Sequence, residues 1–164
     1  AEFAGRFCQS RDRMIALCTL FVQTNSENPP GATTALASLI QDQIAGVPGL
    51  DVRCIVGRPP IANLLVRLAF GAPGRRLILN AHLDTFTVGD AALWSIPPLS
   101  GQIVNGRIYG RGASDMKAGL AVAVLTMLLL AEQAPALAAH RVVTAWLPPH
   151  GAASRCRRPG TPAR

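Results

Sequence analysis

Three rhythms of apolar and polar positions follow one another along the chain. Apolar residues recur at Ile15, Cys18, Leu20 and Val22 amid Arg11, Asp12 and Arg13, a spacing that predicts a first helix over residues 10–22. The stretch "NSENPPG", Asn25 to Gly31, interrupts it, because two successive prolines lack amide donors and make a loop that can lead into a new helix. Leu36, Leu39, Ile40 and Ile44 carry that second helix to a break at Gly46 and Pro48.

The rhythm then shortens to runs of strand character, "LDVRCIV", "NLLVRLAF" and "RRLILNA", parted by Pro and Gly clusters. A looser region, 85–101, holds Trp94 and Pro97-Pro98. Next, "GQIVNGRIYG" sets Asn105-Gly106 between Ile/Val and Ile/Tyr pairs, the strongest short-range signal for a hairpin. A nearly continuous apolar segment predicts a helix over 116–132, and "RVVTAWL" at 141–147 reads as a buried strand. This order predicts an α/β domain with a mixed, largely parallel central sheet flanked by helices, spanning residues 1–146. Residues 147–164, rich in Pro and Arg and without acids or periodicity, predict an irregular tail.

Composition narrows the picture. With 49% hydrophobic and 15% charged residues, 164 residues suffice for one domain with a sizeable core. The formal charge of +7 invites a nucleic-acid partner, yet 12 basic side chains face nine acids up to Trp146, and the last 18 residues add four arginines. The body is only mildly basic and lacks interleaved aromatic and basic residues, so no nucleic-acid partner is expected. Nor is a membrane: the apolar run from Ala118 to Ala131 is 14 residues, against the roughly 20 needed to cross a bilayer. Cys8, Cys18, Cys54 and Cys156 form no CxxC pair and no cleavable leader opens the chain, which predicts a cytoplasmic protein with incidental thiols.

Two places can carry chemistry. In "NAHLDT", His82 and Asp84 follow an apolar strand, and side chains two apart in extended chain share a face. They stand at a strand's carboxyl end, where sites of open α/β sheets usually lie. His82 could bind a metal through one ring nitrogen while Asp84 fixes the ring, although a His-x-Asp pair beside a strand is commonly ordinary loop polarity. In "GRGASDMKAG", glycines permit a sharp turn and Asp115 stands where a helix begins, which on local grounds makes it an N-cap. A dinucleotide-binding turn is the other local reading. Its third glycine is missing, Asp115 in that place would repel a pyrophosphate, and nothing acidic follows Glu132 to meet a ribose.

In this order, "NSENPPG", "LILNAHLDT", Trp94 with "PPLSG", and "GRIYGRGASDMKAG" resemble the acetylornithine deacetylase, succinyl-diaminopimelate desuccinylase and carboxypeptidase G family of co-catalytic zinc metallohydrolases, across residues 10–146. The resemblance implies hydrolysis of amide bonds in N-acyl amino acids or small peptides by two zinc ions, with cobalt as a substitute. It also implies an α/β catalytic domain and an inserted domain that makes a homodimer. By position, His82 resembles a ligand to one metal, Asp84 the catalytic carboxylate that orients it, and Asp115 the carboxylate bridging both metals. Members of the family often have a cis, non-proline peptide directly after the bridging aspartate.

The chain also departs from the family. Ala81 replaces the usual glycine before the histidine, and Pro148, Pro149, His150 and Gly151 stand where a pair of glutamates is expected, one a general base and one a ligand. The later ligands and the inserted domain have no counterpart here, and His150, in a Pro- and Arg-rich tail, is not assigned. The expectation is an incomplete amino-terminal part of such an enzyme, without independent activity. The change at Leu147 suggests a shifted reading frame, a hypothesis that fails if neither other frame past Trp146 encodes a Glu-Glu pair and a recognisable remainder. A non-catalytic α/β remnant or interaction module, with Asp115 as a mere cap, stays open at this point.

Overall fold

The computed structural model describes residue 5, residues 9–69 and 77–133, and the backbone of 143–147. The expected tail beyond Leu147, His150 and the start of the last strand lie outside the described residues. Helix α1 (Arg11–Gln23) turns Leu17, Cys18, Phe21 and Val22 inward. Phe21 is fully buried, worth about 1.5–3 kcal/mol of apolar transfer. Helix α2 (Thr34–Ile44) buries Leu36, Ala37, Ile40 and Ile44 at helical spacing.

Strands β2 (Leu50–Arg58) and β3 (Ile61–Leu68) form a hairpin across the Pro59–Pro60 turn. In β3, Ala62, Leu64, Val66 and Leu68 alternate inward, and α2 packs over this pair. Thr33 fastens α2 to β3, its hydroxyl donating to the Ala62 carbonyl at 2.9 Å and accepting the Ala62 amide at 2.8 Å. Strands β4 (Leu77–Asn80) and β8 (Val143–Leu147) complete a sheet ordered β2-β3-β8-β4. It is mixed, as expected. Among the described strands of this sheet β4–β8 pair in parallel, whereas β2–β3 and β3–β8 are antiparallel. The parallel share is thus smaller than the sequence suggests, because a tight turn joins β2 to β3 and makes them antiparallel neighbours.

Short elements fill the region between. Strand β1 (Glu27–Asn28), inside the expected loop, pairs in parallel with β5 (Thr85–Phe86). Two residues have no periodicity to detect; the pairing is a tertiary event. A 3₁₀ turn at Ala91–Leu93 is capped by the Asp90 carboxylate, which accepts the Ala92 amide at 2.9 Å. The expected hairpin is β6 (Ile103–Val104) with β7 (Arg107–Ile108). Asn105 and Gly106 both have positive φ, 50° and 74°, as a type I′ turn requires. Asn105→Ala is therefore expected to lower stability by about 1 kcal/mol, since alanine enters the left-handed region less readily, while Asn105→Gly holds it; urea unfolding midpoints check this.

Helix α3 (Ala118–Gln133) begins two residues later than the sequence suggests. Asp115 (φ −127°, ψ 95°) and Met116 (φ −134°, ψ 36°) are non-helical, and the peptide between them is cis. With the preceding turn, the segment is long and apolar enough by composition to cross a membrane, but half of it is buried inside the fold, the pattern of a core helix. Leu120, Leu125, Met127 and Leu128 lie in the same cluster as Phe21, Ile40 and Leu64. An exposed ion pair, Arg13 with Glu132 at 2.8 Å, links α1 to α3 and contributes little.

Candidate metal centre

The chain leaves β4 at Asn80 and turns into the irregular segment holding Ala81 to Asp84, at the strand's carboxyl end. From the other side, the turn Ala113–Lys117 delivers Asp115 just ahead of α3. The two motifs, 33 residues apart, meet: His82 Nε2 lies 2.9 Å from Asp115 Oδ1. His82 is largely covered, at 15% exposure, whereas the Asp115 carboxylate is 72% exposed and open to an incoming group.

Asp115 is not the cap that local reasoning suggests. The cap position of its turn belongs to Gly112, and the Asp115 carboxylate turns to His82. Asp115 also stands three residues ahead of Ala118, where α3 begins, and its carboxylate oxygen meets the His82 ring rather than a helix amide.

On its other side the His82 ring is held by Asp84. Nδ1 donates to the Asp84 main-chain carbonyl at 2.8 Å, and the carboxylate Oδ1 stands farther off, at 3.6 Å from Nδ1. A carbonyl can only accept, so the proton sits on Nδ1 and the Nε2 lone pair faces Asp115. Two electron pairs at 2.9 Å repel unless a cation, a proton or a metal ion, lies between them. Histidine nitrogen and carboxylate oxygen are both ordinary donors to zinc, so this pair fits one edge of a divalent ion. Among the described residues no group of three His, Cys, Asp or Glu side chains converges, and further ligands would have to come from elsewhere. A carboxylate this exposed at the turn also counts against the dinucleotide reading.

Two supporting residues escaped sequence reasoning. Asn28 Nδ2 donates to Asp84 Oδ2 at 2.9 Å, and Asp84 is 3% exposed. Lys117, the one lysine in the sequence, is 1% exposed and donates to the Thr24 carbonyl at 2.7 Å. A solitary lysine at the head of the most apolar segment was a legible hint; nothing around Asn28 distinguishes it from a loop asparagine. Burial pulls the Lys117 ammonium down to about 8, with Cys18 and Glu27 holding it up against that effect. Trp94 anchors the surrounding loops, its indole N–H donating to the Val88 carbonyl at 2.9 Å and its ring lying 5.1 Å below the Arg111 guanidinium.

Comparison with known proteins bears on the sequence and the fold. Residues 78–146 match the family model "Peptidase family M20/M25/M40". Succinyl-diaminopimelate desuccinylase of Rhodospirillum centenum (strain ATCC 51521 / SW) is 37% identical over 98 residues, covering 56% of this chain and 25% of the relative. The chain thus spans about a quarter of that curated relative's length. Among solved structures, the M20 family metallo-carboxypeptidase Sso-CP2 from Sulfolobus solfataricus superimposes with a TM-score of 0.70 at 20% identity, over 82% of this chain and 30% of its own. Human carnosine dipeptidase 1 gives 0.71 at 16% identity, over 94% of this chain and 35% of its own. Residues 78–146 are thus similar to the M20/M25/M40 peptidase family, and the α/β fold around them is shared with the two solved structures.

Proposed function

We propose that this chain forms the amino-terminal part, residues 1–146, of the catalytic domain of a metal-dependent hydrolase that cleaves amide bonds in N-acyl amino acids or small peptides. The observation that carries the reading is the convergence of His82 Nε2 and Asp115 Oδ1 at 2.9 Å, with the opposite ring nitrogen already engaged by Asp84. His82 and Asp115 hold the ion, zinc with cobalt as a substitute, and a bound ion of this kind supplies Lewis-acid polarisation of the scissile carbonyl. Asp84 keeps the His82 proton on Nδ1 and so keeps Nε2 a donor. The exposed Asp115 carboxylate has an oxygen to spare for a second ion. Free Cys18 and Cys54 suit a cytoplasmic setting.

Zinc titration by calorimetry tests this reading. Binding is expected to be weak, because two donors fall short of the usual four, and His82→Ala and Asp115→Ala are each expected to weaken it by about tenfold or more. No detectable binding by the unaltered chain would favour a non-catalytic remnant or interaction module instead.

A further inference from the structure

We infer that Asn28 is a positioning residue for the cation site, acting through Asp84 on His82; the inference rests on the reading of His82 and Asp115 as ligands. The placement begins with the backbone. Parallel pairing sets Glu27 opposite Thr85 and Asn28 opposite Phe86, and the Thr85 amide donates to the Ser26 carbonyl at 3.0 Å. Glu27 adds a second tie, its carboxylate accepting the Val88 amide at 3.2 Å. Segment 26–28 is thereby fastened along 84–88, and the Asn28 amide reaches Asp84 Oδ2 at 2.9 Å.

The chemistry of an amide matters at this point. Asp84 is buried, and a buried carboxylate deprived of a donor carries a desolvation cost that favours its rearrangement. An arginine or lysine in place of Asn28 would satisfy the carboxylate but also cancel its field. A neutral amide satisfies Oδ2 and leaves the negative charge intact, with Oδ1 3.6 Å from His82 Nδ1. Asp84 then offers the Nδ1 side of the ring two acceptors, its main-chain carbonyl and its carboxylate. Both favour a proton on Nδ1, and that proton leaves the Nε2 lone pair to the cation. Asn28 thus sets the donor strength of a ligand it does not touch.

The test uses the full chain and two readouts: the ring ¹⁵N shifts of His82 without metal, which report the tautomer, and zinc affinity by calorimetry. In the unaltered chain the Nδ1-protonated form is expected to predominate. Asn28→Ala is expected to mix the tautomers and reduce zinc affinity by ~10–100-fold. Asn28→Asp, which keeps the volume and replaces the donor by an acceptor, is expected to do at least as much, and it serves if the alanine variant fails to fold. Unchanged ring shifts with zinc affinity within twofold, while His82→Ala loses binding, would overturn the role of Asn28 and leave the ligand reading standing. If His82→Ala binds zinc as the unaltered chain does, the ligand reading fails and this inference with it. A neutral ring that carries its proton on Nε2 instead of Nδ1 in the unaltered chain overturns the inference without any variant.

Discussion

Gly112→Ala is expected to destabilise the chain by about 2–5 kcal/mol, combining left-handed backbone strain with overpacking against a rigid neighbour. Gly112 has φ +80°, and a Cβ there would collide with Thr85 Cγ2 and approach Lys117 Cδ to 3.3 Å. Thr85 is buried, 5% exposed, and paired in β5 directly after Asp84, so it has little room to retreat. The Asp115 turn and β5 are therefore pressed together across a gap that only a hydrogen side chain leaves open. Gly106→Ala is the control: its φ is similar, +74°, but nothing lies within 4 Å of the added carbon. Urea unfolding of both variants separates strain from collision. Equal losses would show that the collision is relieved at no cost and that the turn is not held against β5.

Stability is also expected to rise with pH above neutrality, through Lys117. Burial brings its folded-state pKa to about 8, while the exposed amine of the unfolded chain titrates near 10.5. Below about 8 both states hold the proton and the burial penalty is constant. Between these values the unfolded state binds more protons, so unfolding becomes costlier as pH rises, by about 1 kcal/mol from pH 7.5 to 9 and about 3 kcal/mol over the whole range. Cys18 acts in the opposite sense. Burial raises its thiol above the ordinary value of 9.0, so the unfolded thiol ionises first and stability falls at higher pH. Lys117→Met removes the gain and keeps the loss, and the difference between the two chains' urea stabilities at pH 7.5 and 9 isolates the lysine. Parallel pH profiles would mean that the ammonium is not buried at a cost.

How much of this was legible in the sequence follows from the range of each interaction. Helices α1 and α2 were, because their apolar positions repeat locally, and so was the β6–β7 hairpin, whose Asn105-Gly106 turn is a property of two adjacent residues. His82, Asp84 and Asp115 could be named from motif and resemblance. Their geometry could not. That the Asp84 carbonyl, rather than its carboxylate, takes the closer contact to Nδ1 depends on how the chain turns after β4. The start of α3 was misplaced because non-helical backbone at Asp115 and Met116 leaves no trace in an apolar pattern.

Alone, the sequence determined the local elements, the α/β class and which side chains could carry chemistry, since propensity, periodicity and turn chemistry act over a few residues. Only the tertiary structure decided that Asp115 faces His82 rather than capping a helix, that Asn28 reaches Asp84 from 56 residues away, and that Lys117 lies buried against Thr24. Each of these contacts joins segments far apart in the chain, and the packing of β1 on β5 and of the Gly112 turn on Thr85 brings them together.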